Sequence, residues 1–556
     1  MRNWRINLFI ALFFALGGLL IARLFFLQIR KNDFYSALAQ GQQSVIEPVL
    51  GSRGDIFCQD KQELIPLALD IESEFAYALP KEVPEEEKEE IIQSLVQILN
   101  LEKEKVLEEL ETKTFVVLKK KLSEPEVESL KTANLSGVYH RKETLRSYPE
   151  NSLASHVIGF VDNDGEGKYG TEAFYNEVLK GKEGFKKGER GILGYIFFPE
   201  TENTSGKDLF LTLDYNIQYK AERLLEEARE QLSIEEGQIL VINPKTGAIL
   251  ALAEFPNFDL NEYSKWSENM GIFKCKVVQE LFEPGSVFKA ITMGAALDAK
   301  AVTPDTTYID TGEVSVPGGT IFNYDTRVWG EKTMREVLEK SINTGAVFVE
   351  QQMGHKTFLD YIEKFGIFEK TGIDLSGEVF SENREFKKGY EINFATASFG
   401  QGIEMTPVQL ARAFGVIANS GKLVNPRLVK DSSLSNIEGG RQVISRETTS
   451  KLTEMLVGVL EEGFAKSARV PGYYIAGKTG TAQVPLEGTR GYHEDKTIQS
   501  FIGFFPAYNP QFLVLVKLDN PQTKTAEYSA VPIFQKIAKY IIDYWQIAPD
   551  YEENSK

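Results

Sequence analysis

Histidine and cysteine are scarce in this chain, four and two residues in 556. Cys58 and Cys275 stand far apart and no His or Cys pair shows ligand spacing, which argues against a structural zinc site. At most one disulfide is possible, so the fold must rest on ordinary hydrophobic cores. Basic residues are in deficit, 62 Lys and Arg against 80 Asp and Glu, and the resulting −18 speaks against a nucleic-acid partner. A glycine-rich nucleotide-binding loop is missing as well. Only one apolar run is long enough for a membrane. From Leu8 to Ala22 the chain reads LFIALFFALGGLLIA and resumes after Arg23 with LFFLQI. That is about 20 apolar positions, enough for a helix across ~30 Å of hydrocarbon. No small-residue cleavage site ends the run, so it reads as an uncleaved anchor rather than a signal peptide. Arg2 and Arg5 on one flank and Arg23, Arg30 and Lys31 on the other leave its orientation open.

A chain of 556 residues is too long for one core and should divide into two or three domains. After the anchor, Gly51–Phe57 reads as a glycine-broken turn leading into a strand. Residues 84–110 are strongly charged, with Ile91, Ile92, Leu95, Ile98 and Leu99 at helical spacing, and predict two surface helices. Strand-like pieces follow at Thr114–Leu118 and Gly137–His140. His156, in an apolar run, reads as a structural histidine. A boundary falls near Ser205-Gly206, and beyond it Leu209–Leu213 predicts a strand and Ile217–Gln231 an amphipathic helix. Ile239–Ile242 with Ala248–Ala253, and Ser500–Phe505 with Phe512–Leu518, read as two hairpins. A closing helix carries Ile533, Ile537, Ile541 and Tyr544 on one face. Helices lie between the hairpins in sequence, so the expected architecture is an antiparallel sheet with helices packed on it.

The stretch Leu281–Lys300, LFEPGSVFKAITMGAALDAK, is the one around which this domain should be organised. Its apolar residues cover most of a helical circumference, which predicts a buried helix. Ser286 and Lys289, three apart, share a face near its start. Burial lowers a lysine's pKa, as a lysine needs if it is to take a proton from a serine near neutral pH. Ser-x-x-Lys alone is a loose pattern, however, and an N-capping serine beside a snorkelling lysine is the bland alternative.

Two downstream motifs bear on the choice. Ser341-Ile342-Asn343 follows an amphipathic segment, and Lys478-Thr479-Gly480 follows the strand-like Tyr473–Ala476. Lys-Thr-Gly also occurs at Lys245 and Lys370, and Ser-x-Asn at Ser267 and Ser381, so context must select. Lys245 falls in a hairpin turn and Lys370 and Ser381 in polar loops, whereas Lys478 is on a strand that could lie beside Ser286. The order serine-x-x-lysine, serine-x-asparagine, lysine-threonine-glycine is that of penicillin-recognising serine acyltransferases. With Arg53-Gly54-x-Ile56, Arg146-x-Tyr148-Pro149, Gly170-Thr171-Glu172, Leu211-Thr212-Leu213-Asp214, Glu283-Pro284-Gly285-Ser286 and Gln401-Gly402-Ile403, the chain resembles a class B penicillin-binding protein over nearly its whole length. One departure stands in the N-terminal part, where Phe57-Cys58-Gln59-Asp60 replaces the family's usual Asp-Arg-x-Gly turn.

The resemblance implies a multidomain chain. Residues 1–30 would be a cytoplasmic N-terminus and single transmembrane helix, 31–205 an α+β pedestal of dimerisation type, and 206–546 an α/β penicillin-binding transpeptidase domain whose antiparallel sheet is flanked by helices. Residues 547–556 would be a polar tail. It implies a cell-wall D,D-transpeptidase acting through a serine acyl-enzyme on stem peptides ending in D-Ala-D-Ala, inhibited by β-lactams and needing no metal or organic cofactor. Ser286 would be the nucleophile, Lys289 the base, and Lys478 a cation that keeps Lys289 neutral. Ser341 would pass the proton to the leaving amine and Asn343 hold the peptide amide. Thr479 and Thr481 would bind the terminal carboxylate along the Gly480 backbone, with the N–H groups of Ser286 and Thr481 as oxyanion hole. The large domain would be extracytoplasmic, beside a membrane-embedded glycan polymerase and division proteins. Asn343 and Thr479 resemble the septal group, elongation types often carrying Asp and Ser there; sporulation enzymes share the septal residues. A β-lactamase would need no pedestal, a class A enzyme would carry a glycosyltransferase domain, and a β-lactam sensor several spans. A catalytically idle scaffold is the reading from a different class, against which the intact motif residues weigh.

Overall fold

The computed structural model describes residues 4–25, 28–29, 44–49, 51–181, 184–190, 196–197, 205–430, 440–486 and 491–552. The expected pedestal start at residue 31 and the last residues of the expected tail lie outside these. Contacts divide the chain into two units, Met1–Arg53 with Lys180–Lys207, and Gly54–Leu179 with Asp208–Lys556. The first contains helix α1 (Trp4–Phe25) and a sheet pairing Ser44–Val49 antiparallel with Gly184–Arg190. At 1.5 Å per residue, α1 is about 33 Å long. Its apolar side chains point outward, Phe9 73% and Phe13 75% exposed, as suits a helix solvated by something other than water.

The second unit begins with a sheet of β1 (Ile56–Asp60), β2 (Glu63–Ala78), β3 (Val116–Lys119), β4 (Val138–Ser147) and β5 (Leu209–Asp214). Where the family's turn was missing after Ile56, the strand runs on through Cys58 to Asp60 and turns at Lys61, whose φ is +49°, to pair antiparallel with β2. β5 pairs parallel to β1, so this sheet crosses the boundary expected at 205–206. The charged segment forms two helices, Lys88–Leu99 and Lys103–Thr112, which bury Ile91, Ile92, Leu95, Leu99, Val106 and Leu110 in a small core of their own.

Three motifs far apart in sequence converge here on Arg146. Its Nη2 donates to Gly54 O (2.8 Å), its Nη1 to Asp70 Oδ1 (3.0 Å) and its Nε to Glu172 Oε1 (2.8 Å). Glu172 is fully buried, and a buried carboxylate is tolerated only when paired and hydrogen-bonded in this way. His156 is structural as expected, buried edge-on to Phe258 with Nε2 2.9 Å from Ile272 O.

Helix α2 (Tyr215–Leu232), N-capped by Asp214, leads into the central sheet. Its strands are β6 (Glu236–Ile242), β7 (Ile249–Phe255), β8 (Ala476–Pro485), β9 (Tyr492–Phe505) and β10 (Phe512–Asp519), in the order β7-β6-β10-β9-β8, all antiparallel. The runs Ile239–Ile242 of β6 and Phe512–Val516 of β10 are apolar because helices cover both faces of the sheet there. The closing helix α7 (Ala530–Trp545) lies against β9 and β10, while α3 (Lys289–Asp298) is enclosed by α4 (Asn343–Met353), α5 (Pro407–Ala418) and α6 (Arg446–Glu461). Every residue of α3 from Lys289 to Leu297 is buried.

Candidate functional site

β8 is the edge strand of the central sheet, and it carries Lys478, Thr479, Gly480 and Thr481. The segment before α3 packs against it. Gly285–Phe288 is one turn of 3-10 helix, and the α-helix begins only at Lys289, whereas a single helix was expected. The Lys289 N–H donates to Ser286 O, an i to i+3 bond that puts the two residues on the same side of the turn. Gly285 has φ +59°, and a Cβ there would lie 3.1 Å from Ala482 Cβ. On the other side, a Cβ on Gly480 would fall 2.5 Å from Ser500 Oγ and 3.1 Å from Pro284 O. Both glycines therefore serve the close approach of turn and edge strand.

Lys289 and Lys478 are 1% and 0% exposed and meet at Ser341. Lys289 Nζ donates to Ser341 O (2.6 Å) and Asn343 Oδ1 (2.7 Å), with Ser341 Oγ at 3.3 Å. Lys478 Nζ donates to Ser341 Oγ at 2.9 Å and lies 3.2 Å from both Thr479 O and Thr479 Oγ1. Ser341 has φ +53°, a left-handed conformation that costs a non-glycine residue about 1–2 kcal/mol and here turns both of its oxygens toward the lysines. Ser286 and Ser341 are half-buried, and Ser286 Oγ makes no hydrogen bond among the described residues.

Burial pushes both ammonium groups down. For Lys478 it is the sole cause and brings the group to about 7. For Lys289 burial comes first and the charge of Lys478 adds to it, holding Lys289 well below the ordinary lysine range. The residue with both causes gives up its proton first. Neither lysine has a carboxylate in ion-pair reach among the described residues.

Two expected site residues also carry hydrogen bonds within the protein. Asn343 Nδ2 donates to Phe322 O (3.0 Å) while its Oδ1 accepts from Lys289, which fixes the amide and leaves one N–H for a peptide. Thr481 Oγ1 accepts from Ala526 N (3.3 Å) and keeps its own proton to donate to a ligand.

Residues that sequence motifs did not single out hold the Ser341–Asn343 turn. Asp310, 2% exposed, accepts from Trp329 N (2.7 Å), Asn323 Nδ2 (2.9 Å), Gly312 N (3.2 Å) and Thr344 Oγ1. Asn323 Oδ1 in turn accepts from Thr344 N at 3.1 Å, capping the start of α4 next to Asn343. The only local signal was a lone Asp at the end of a short strand.

Residues 237–539 match the family description "Penicillin binding protein transpeptidase domain", and residues 48–211 "Penicillin-binding Protein dimerisation domain". Stage V sporulation protein D of Bacillus subtilis is 32% identical over 93% of this chain and 81% of its own length. The probable peptidoglycan D,D-transpeptidase PbpC of Pseudomonas aeruginosa is 30% identical over 100% of this chain and 97% of its own. Among solved structures, penicillin binding protein 3 of Mycobacterium tuberculosis in complex with aztreonam superposes with a TM-score of 0.70 at 25% identity, covering 91% of this chain and 98% of that one. The sheet edge, the turn packed on it and these likenesses agree: the chain belongs to the class B penicillin-binding proteins.

Proposed function

We propose that this protein is a peptidoglycan D,D-transpeptidase that cross-links stem peptides through a Ser286 acyl-enzyme. The observation that carries this reading is the pair of buried lysines sharing Ser341 with no carboxylate among the described residues to balance them. A site that holds positive charge in low dielectric is matched by a substrate bringing its own negative charge, and a C-terminal D-alanine does so. Neutral Lys289 has two N–H groups, directed to Ser341 O and Asn343 Oδ1, and one lone pair left for the Ser286 proton.

Ser286 Oγ attacks the carbonyl carbon between the two D-alanines as its proton passes to Lys289. The oxyanion forms against the N–H groups of Ser286 and Thr481, each donor worth roughly 3–4 kcal/mol in the transition state. Ser341, bridging the two lysines, hands the proton to the departing nitrogen, the C–N bond breaks, and D-alanine leaves. An amine of a neighbouring stem peptide then attacks the ester, forms the cross-link and returns the proton to Ser286. Thr479 and Thr481 hold the terminal carboxylate beside Lys478, and Asn343 orients the donor amide. Penicillins enter by the same step and remain as the ester. Labelling with a fluorescent penicillin, followed by identification of the modified residue, tests this directly; an unlabelled protein, or label on another serine, would reject it.

In this reading the sequence divides as 1–30, 31–205, 206–546 and a short tail, with α1 crossing the membrane and the rest outside the cytoplasm. The protein works at the division septum beside a membrane-embedded glycan polymerase, with α1 and the pedestal as docking surfaces. The relatives include a sporulation protein, which supports spore-wall synthesis as the second reading. Depletion in growing cells separates them: filaments without septa support division, while normal growth with defective spores supports the second.

A further inference from the structure

Glu283, three residues before Ser286, is 8% exposed and joins three separate segments. Its Oε1 accepts from Gly402 N at 3.0 Å, and its Oε2 accepts from the Tyr492 hydroxyl at 3.1 Å. The Gly400–Met405 segment is also tied by backbone to the nucleophile turn, through Gly285 N to Gly400 O (3.0 Å) and a bridge between Phe282 and Met405. Tyr492 opens β9 and pairs with Pro485, at the far end of the β8–β9 hairpin from Lys478. The turn bearing Ser286 and the strand bearing Lys478–Thr481 are thus connected twice. One connection is packing at Gly285 and Gly480, and the other is the carboxylate of Glu283.

We propose that Glu283 is a positioning residue for the acylation step, clamping the turn end of the β8–β9 hairpin to the nucleophile turn through Tyr492. The proposal rests on Ser286 being the nucleophile. Acylation needs the oxyanion donors and the Ser286 oxygen in register to a few tenths of an ångström, and they stand on different elements. Packing at two glycines sets the distance between turn and strand. It does not prevent the hairpin from pivoting about that contact, and a hydrogen bond at the far end does.

The clamp is sensitive to protonation. The ionised carboxylate accepts both bonds, and a protonated one gives up part of that capacity. Burial raises the Glu283 carboxyl to about 7, helped by the charge of Glu404 and opposed by the bonds from Gly402 and Tyr492. A cavity of about 660 Å³ lies along the other side of Glu283, and Glu382, Arg384, Glu385 and Glu404 are the charged groups lining it. Protonation as the pH falls through about 7 therefore loosens the clamp.

The test is the second-order acylation rate of the full chain in detergent with a fluorescent penicillin, from about pH 5.5 to 8.5. Tyr492→Phe deletes one half-exposed hydroxyl and should acylate about tenfold more slowly at pH 8 with an unchanged melting temperature. Glu283→Ala should fall at least as far. Glu283→Gln, the isostere of the protonated carboxyl, presents an NH2 group where Oε2 accepted from Tyr492 and should lose about as much rate at pH 8 as Tyr492→Phe. Its acid-side fall should also become shallower, because one titrating group is gone. A wild-type rate in Tyr492→Phe, or an unchanged acid limb in Glu283→Gln, overturns the proposal. Absence of label from the wild-type protein would instead overturn the reading of Ser286.

Discussion

At the scale of single residues the site is a problem in placing protons. Replacing Ser286 by alanine should abolish penicillin labelling and lower transpeptidation by about 10⁴–10⁶, as in other serine acyl-enzymes. The fold should lose no more than about 1 kcal/mol, since the position is a half-buried turn residue whose hydroxyl has no partner among the described residues. Undiminished labelling would show that another serine reacts. The lysines predict a bell-shaped pH profile. Below its depressed pKa Lys289 is protonated and cannot act as base, so the rate falls toward acid. Above about 7 Lys478 loses its charge, and with it the attraction for the substrate carboxylate, so the rate falls toward alkali. The two apparent values belong to the coupled pair. An acylation rate still climbing at about pH 9 would contradict the assignment of Lys478 as the cation.

Elements matter because each carries one part of the site and must be held by something other than the site. The Ser341–Asn343 turn is held by Asp310 and Asn323 beneath the first residue pair of α4. Asp310→Ala would leave the Trp329 N–H without its acceptor and the Thr344 hydroxyl with only Asn323 Oδ1 at 3.2 Å. The expected cost is about 2–3 kcal/mol of stability, read as a lower denaturation midpoint. Penicillin acylation should fall together with it, although Asp310 touches no substrate; a stable, fully active variant would refute the supporting role. At the neighbouring element, Gly285→Ala forces a non-glycine residue to φ +59° against Ala482, at about 1–2 kcal/mol. Because relief comes from moving the turn off β8, the loss should appear in the acylation rate more than in the melting temperature.

On the scale of the whole molecule, the prediction concerns sides of a membrane. α1 is the only helix among the described residues long and apolar enough to span one, and the proposed topology puts the rest of the chain on a single side of it. Since the proposed substrate is outside the cytoplasm, protease added to protoplasts should digest the large domain, and its protection would refute that orientation. A fragment beginning near Asn32 should be soluble and still bind penicillin. The buried Arg146 network is expected to matter at this scale too. Arg146→Ala would remove the cation paired with the buried Glu172 and half-buried Asp70 carboxylates, at about 3–5 kcal/mol, and should lower thermal stability more than any change at Ser286.

What the sequence determined by itself is local and periodic. The outward-facing α1, the wholly buried α3, the charged pair of helices and the apolar hairpins β6–β7 and β9–β10 are each written in stretches short enough for their burial pattern to be read directly. Motif order also named the residues that lie around Lys289. The hairpin β8–β9 was only half legible, since a strand ending in Lys-Thr-Gly-Thr-Ala-Gln is too polar to announce that it runs on to Pro485 and pairs with Tyr492–Phe505. Tertiary structure alone decided the rest. Ser341 meets Lys478 across 137 positions of sequence and Glu283 meets Tyr492 across 209, and no periodicity relates such pairs. The pKa of a lysine or glutamate is set by how many atoms exclude water from it and which charges stand beside it. Both are sums over neighbours that only the folded chain supplies.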